Sequence, residues 1–184
     1  MFGVRWFYRN NEEWIALAQQ IKLKPCQHCD VIGMLILHGS LHGWDESGRI
    51  VLRARRVFCS NRNARTGCGR TFSVWPADHI KGLKVTTSRL WQFLIKSVAG
   101  PIEAAIRDIN SRLSDRTWKR IWARFLKAQS TIRTHLANRF LLPQRPLEPS
   151  RRPAALVLAH LQHAFPNAAC SIAAFQHAFR SFFM

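Results

Sequence analysis

Cys26, Cys29, Cys59 and Cys68 are spaced so that one metal ion can take all four thiolates. Cys26 and Cys29 are close enough for one tight turn to aim two sulfurs at a point, and strands must carry the later pair back to it. Four sulfur ligands make a closed tetrahedral shell that selects zinc and leaves no position for a reactive water. The expectation is one structural Zn2+ on Cys26, Cys29, Cys59 and Cys68, contributing folding free energy directly. His28, His38 and His42 are the alternatives for one of the thiolates, and a set of buried free thiols is the alternative to any metal.

The second chemistry in the chain is cationic. From Arg49 to Arg70 there are seven arginines and no acid. Two of them, Arg62 and Arg65, lie in the Ser-Asn-Arg-Asn-Ala-Arg-Thr-Gly insert between Cys59 and Cys68. From Arg112 to Arg145 there are nine Lys or Arg and one acid, whereas an ordinary solvated face mixes signs. Within that run Leu113-Ser114-Asp115-Arg116-Thr117-Trp118-Lys119-Arg120 reads as a cap followed by a helix. With the preceding Ile102 to Ile109 it has the form of a helix-turn-helix. Arg116, Thr117, Lys119 and Arg120 would reach base edges, while Trp118, Ile121, Trp122 and Phe125 face a core. Arg53, Arg55, Arg62, Arg65, Arg70, Lys127 and Arg133 are the candidates for backbone phosphates. The competing reading of the helix is an amphipathic element with a solvated basic face.

Other groups carry weaker signals. His160, His163, Cys170 and His177 could form a second metal site, but histidines beside phenylalanines more often edge a core. Trp6, Phe7, Tyr8 and Trp44 could stack on bases, with packing the preferred reading. No phosphate-binding glycine pattern and no GxSxG elbow occurs, and the ten acids are scattered. The chain is therefore not expected to be an enzyme.

These residues need elements to position them. Residues 25–76 read as a three-stranded zinc ribbon: Val31 to His38, Ile50 to Phe58 and Thr71 to Trp75, with a glycine-rich turn from Gly39 to Gly48. In the middle strand Leu52, Ala54 and Phe58 are expected inward, and Arg53 and Arg55 outward beside Val51 and Val57. Residues 1–24 read as an amphipathic helix docked on that ribbon, with Trp14, Leu17, Ala18 and Ile21 on one face. Residues 77–142 read as a helical bundle. Thr87 or Ser88 caps its first helix, Gly100 and Pro101 separate the second, and Ser114 or Asp115 caps a third, with a further helical stretch to Phe140. Residues 143–153, with four prolines, read as an extended linker. Residues 154–184 read as an aromatic helical hairpin that packs on the bundle or on a second copy. The fold class is α+β, mainly α.

Composition agrees with this division. A formal charge of +18 over 184 residues suits a polyanionic partner, and a hydrophobic fraction of 47% is too high for a disordered basic tail. The longest apolar runs fall short of the roughly 20 residues that span a bilayer. Met1 to Trp6 lacks the order of a secretory leader, and five cysteines in this pattern fit a reducing compartment. No membrane partner is expected, and the location is cytoplasmic and nucleoid-associated.

From Cys26 to about Phe125 the order of features resembles the N-terminal region of insertion-sequence transposases. There a zinc ribbon ending in a knuckle like Cys68-Gly69-Arg70-Thr71-Phe72 precedes a Trp-bearing helix and a helix-turn-helix. Ser114, Thr117, Trp118 and Arg120 resemble the start of its recognition helix. The chain departs in the long Cys59–Cys68 insert and lacks the catalytic domain that would come after it in that family. The resemblance implies double-stranded DNA binding, at a mobile-element end alongside a recombinase or transposase, and does not imply strand transfer. A transcription regulator with the same binding mode is the first alternative. A zinc-ribbon adaptor for structured RNA or protein, using the C-terminal hairpin, is the second.

Overall fold

A computed structural model describes residues 6–142 and 153–184. Trp6–Tyr8 forms strand β1, and Asn11–Gln19 forms helix α1, capped by the Asn10 side chain on Glu13 N. A 3-10 turn, Ile21–Leu23, then leads into Pro25 and the first cysteine. The antiparallel hairpin β2 (Leu35–Trp44) and β3 (Ile50–Cys59) comes next, then β4 (Thr71–Pro76). The sheet order is β1-β4-β3-β2, with β1 parallel to β4. The sheet thus has four strands where three were expected. Trp6-Phe7-Tyr8, read as isolated aromatics, are a short aromatic strand of the kind that fits a pleated, half-buried surface.

Two further details differ from the expectation. Strand β2 begins at Leu35 and continues through Gly39, which lies at φ +86°, where the register with β3 shifts between Leu37 and Ser40. A bulge that absorbs a left-handed glycine lets a strand pass through residues that look like a turn. The true turn is Asp45 to Arg49. In β3 the set facing the cysteine core is Arg55, Val57 and Cys59, not Leu52 and Phe58. Side chains alternate across a strand, and Cys59 has to face the other cysteines, so its parity decides the rest. Val57 and Cys59 are fully buried with Phe72, Val74, Trp14 and Tyr8 beneath α1. Ala54 is buried on the opposite face.

The remaining chain is helical: α2 (Thr87–Ala99), α3 (Ile102–Ile109), α4 (Asp115–Ala137), α5 (Pro153–Ala164) and α6 (Ser171–Phe179). Thr86 caps α2, one residue before the expected position, and Ser114 caps α4. Helix α4 is a single helix of 23 residues rather than two stretches. Asn110, at φ 47° and ψ 58°, takes the left-handed position that ends α3, a role more often given to glycine. Residues 143–152 of the expected linker lie outside the described residues, and Pro153 opens α5 instead of closing the linker.

One core unites all five of these helices. Phe93 of α2, Trp118 and Phe125 of α4, Leu158 of α5 and Phe175 of α6 are each at most 1% exposed. Phe183 stacks on Phe125 at 5.9 Å between ring centroids. The apolar face of the C-terminal hairpin is therefore covered by the chain's own bundle. Among the described residues no helix is long and apolar enough to cross a membrane.

Polar contacts fasten the sheet to the bundle at several places. At the β2–β3 tip, Glu46 pairs with Arg89 at 3.2 Å and accepts from Ser111 Oγ at 2.7 Å, while Arg112 donates to Ser47 O at 3.1 Å. At the other end of the bundle, the buried Gln176 amide donates to Ala77 O and His79 O, both at 2.8 Å, and accepts from Phe183 N at 3.1 Å. Those carbonyls belong to the segment that joins β4 to α2.

Candidate metal centre and basic surface

The four cysteine sulfurs all lie within 4.8 Å of one another. Cys26 to Cys68 and Cys29 to Cys59 are each 3.8 Å. A tetrahedral ion with metal–sulfur bonds of about 2.3 Å separates its sulfurs by about 3.8 Å, so the donor set fits one such ion. Among the described residues no other group of histidines, cysteines or acids comes together in this way. His28, His38 and His42 are not in the cluster: His28 lies against Phe72 and His38 against Phe58.

Local backbone builds the centre. The turn at Cys26 is closed by Asp30 N donating to Cys26 O and by His28 N donating to Cys26 Sγ at 3.4 Å, with Asp30 at φ 58°. Cys68 N donates to Cys59 Sγ at 3.3 Å. Such N–H donors lower the charge on a sulfur that has become a thiolate. Without a cation, burial pushes the Cys59 thiol up to about 12 and raises Cys26, so the inner pair favours protons. Cys29 is lowered, chiefly by the hydrogen bond from the Val31 amide. An ion that ligates all four displaces those protons.

The two glycines flanking Cys68 answer different constraints, Gly67 close contact with backbone and Gly69 its left-handed conformation. A Cβ on Gly67 would lie 2.2 Å from Ser60 O and 2.9 Å from Cys59 Sγ. On Gly69, at φ +69°, it would meet the Asn61 side chain at 2.7 Å. The Gly-Cys-Gly triplet was the sequence signal for this packing, and only its second glycine entered the reading of the knuckle.

Between the ligands, residues 60–67 leave the sheet as a loop closed at its base. Cys59 N donates to Arg70 O, Gly69 N to Cys59 O and Ser60 N to Met34 O. Residues 61–66 are all exposed. Arg62 lies over the Phe58 ring at 5.5 Å, and neither Arg65 nor Arg70 has an acidic partner among the described residues.

The other arginines divide by what they touch. Arg55 is turned inward, 5.3 Å over the Trp14 ring, with Nη1 on Ser40 Oγ. Arg53 donates to Leu83 O and Trp44 O, tying the hairpin to the start of the bundle. Both were expected on phosphates, and both are engaged within the fold. On α4, Arg116 and Arg120 are exposed at its N-terminal end, with Lys127 and Arg133 farther along. None of these four has an ion-pair partner among the described residues. Lys119 pairs with Glu103 at 3.1 Å, and Thr117 is half-buried with its hydroxyl 3.0 Å from Ser114 Oγ. Trp118, Ile121, Trp122 and Phe125 are buried as the periodicity requires.

His160, His163, Cys170 and His177 do not converge. His160 is buried and its pKa is lowered by desolvation, whereas His177 bonds Glu13 at 2.7 Å and joins α6 to α1. Trp44 is 56% exposed at the end of β2, and Phe7 and Tyr8 are buried. Sequence reasoning missed Glu46, Arg89, Ser111 and Arg112 as the clamp between hairpin tip and helices. A lone acid in a turn, with an arginine-rich run far downstream, gives no local cue to that contact.

Fold and centre together define an α+β chain with one four-cysteine cluster and a helical basic face. Comparison with family models, with curated proteins and with solved structures finds no match.

Proposed function

We propose that the protein is a non-enzymatic, zinc-dependent binder of double-stranded DNA in which α3 and α4 act as a helix-turn-helix. The observation that carries this reading is the set of exposed cations without acidic partners, Arg116, Arg120, Lys127 and Arg133, along one helix of a chain with charge +18. Charge unneutralised by the protein itself suits a polyanion. The ion in the cysteine cluster is zinc, structural and closed, because four thiolates leave no open position. Arg116 and Arg120 read base edges directly, Thr117 supports them, and Lys119 joins when it leaves Glu103. Arg62, Arg65, Arg70, Lys127 and Arg133 hold phosphates.

The role that fits the sequence resemblance is that of an accessory factor at the ends of a mobile element, in the cytoplasm on the nucleoid, beside a recombinase. Transcription regulation by the same contacts is the alternative. An adaptor that docks through the C-terminal hairpin is less well supported, since the phenylalanines of that hairpin lie in the core. The same packing leaves a homo-oligomer through this hairpin without its apolar surface.

The test is selection of bound fragments from random duplex DNA, and then titration of the selected site over a salt series. With the five phosphate contacts named above, log K falls with log salt at a slope of about −4.5. A binding constant indifferent to salt, or structured RNA outcompeting every duplex, overturns the reading.

A further inference from the structure

The two basic regions are joined by one stiff element, and its length is close to a dimension of DNA. Strand β3 has ten residues, paired to β2 along its length and to β4 from Arg55 to Phe58. At about 3.3 Å per residue it spans about 30 Å. Its first end is the hairpin tip, where Glu46 and Ser47 hold Arg89, Ser111 and Arg112, just before the cap of α4. Its last residue is Cys59, a member of the cysteine cluster and the base of the 60–67 loop. Both ends are thus tied by contacts, and the strand between them is continuous.

We propose that β3 lies along the duplex as a spacer, so that Arg62 and Arg65 meet phosphates about nine base pairs from the bases read at the N-terminal end of α4. Nine base pairs at about 3.4 Å each match the strand, and one turn of B-DNA is about 34 to 36 Å. Two contacts nearly one turn apart fall on the same face of the helix, which a rigid protein can touch without bending the DNA. The arginine loop then sets the length of the site, whereas α4 sets its sequence. This inference rests on the DNA-binding reading above and adds a distance to it.

Hydroxyl-radical footprinting of the full chain with zinc on its selected duplex tests the distance. The expected result is two protected clusters on one face, about nine to ten base pairs apart. In the double variant Arg62→Ala/Arg65→Ala the distal cluster disappears, the proximal one stays, and the salt slope becomes shallower by about 2. Trimming the duplex to remove the distal half should weaken the wild-type chain and leave the double variant unchanged. A single proximal cluster in the wild-type footprint, or equal losses for both proteins on trimming, overturns the spacer while leaving DNA binding intact. No protection on any duplex overturns both.

Discussion

Gly67 is the residue on which the metal centre is least forgiving. A methyl group there cannot coexist with Ser60 O and Cys59 Sγ, so the backbone that carries Cys68 has to move. Gly67→Ala is expected to lower metal occupancy, measured on the purified protein, and to destabilise the fold by about 3 kcal/mol, at the upper end of overpacking costs. Gly100, with open space about its Cβ position, should accept alanine with little change in melting temperature. Gln176 poses the opposite problem. Its removal strands two carbonyls and an amide in the interior, and Gln176→Ala should cost about 3 kcal/mol in chemical denaturation. Asp45 offers a test by pH. Hydrogen bonds from Ser47 and the Arg49 amide, with the Arg49 charge, hold its carboxyl at about 2. A depressed carboxylate stabilises the native state above its unfolded value near 3.8 and loses that contribution as pH falls toward 2. The melting-temperature gap between wild type and Asp45→Asn should therefore be constant above about pH 5 and close by about pH 2. A gap that persists in acid would assign Asp45 a purely steric role.

At the scale of elements, the sheet and the helices have separate cores: Cys26 and Cys59 belong to the one under α1, Phe93 and Phe125 to the bundle. If the cluster holds a metal, its removal with a chelator is expected to release amide protection in β2, β3 and β4 while α2 and α4 keep theirs, as measured by hydrogen exchange. Loss of protection everywhere would mean that the bundle depends on the ion. Much of this division was legible. The helices announced themselves through apolar periodicity and through Ser114, Gly100 and Pro101, and the cysteines through spacing. The bounds of β2 were not, because Gly39 looks like a turn until its bulge is seen. Nor was the parity of β3 read correctly, although Cys59 alone determines it. Strand β1 escaped notice because three residues make too short a period, and what selects them is their parallel partner, β4, far along the chain.

For the whole molecule, the decisive quantity is charge left without an internal partner. Among the described residues most acids are paired, Glu46 with Arg89, Glu103 with Lys119, Asp108 with Lys96 and Glu13 with Arg9 and His177. What is left over is positive. Arg120→Ala should flatten sequence preference by an amount corresponding to about 1 to 3 kcal/mol at one base pair, and Lys127→Ala should weaken all duplexes alike. Equal effects of both on selected and random DNA would show that α4 does not read bases. The cationic face of α4 was foreseeable from the Arg112 to Arg145 run, but the engagement of Arg53 and Arg55 within the fold was not. An arginine used as a tether has the same letter as one offered to a phosphate.

The grip of Gln176 on Ala77 and His79 also orders events in time. The four cysteines have all been synthesised by residue 68, whereas the amide that clasps the sheet–bundle joint, and Phe183 beside it, come more than a hundred residues later. At translation rates of about 5 to 20 residues per second that interval is on the order of ten seconds. The nascent sheet can capture its metal throughout that interval, while the helices still lack α6 and the aromatic stack that closes their core. On the metal-binding reading, maturation is expected to run from metal to bundle, and chains made without the ion would fail at the first step rather than the last.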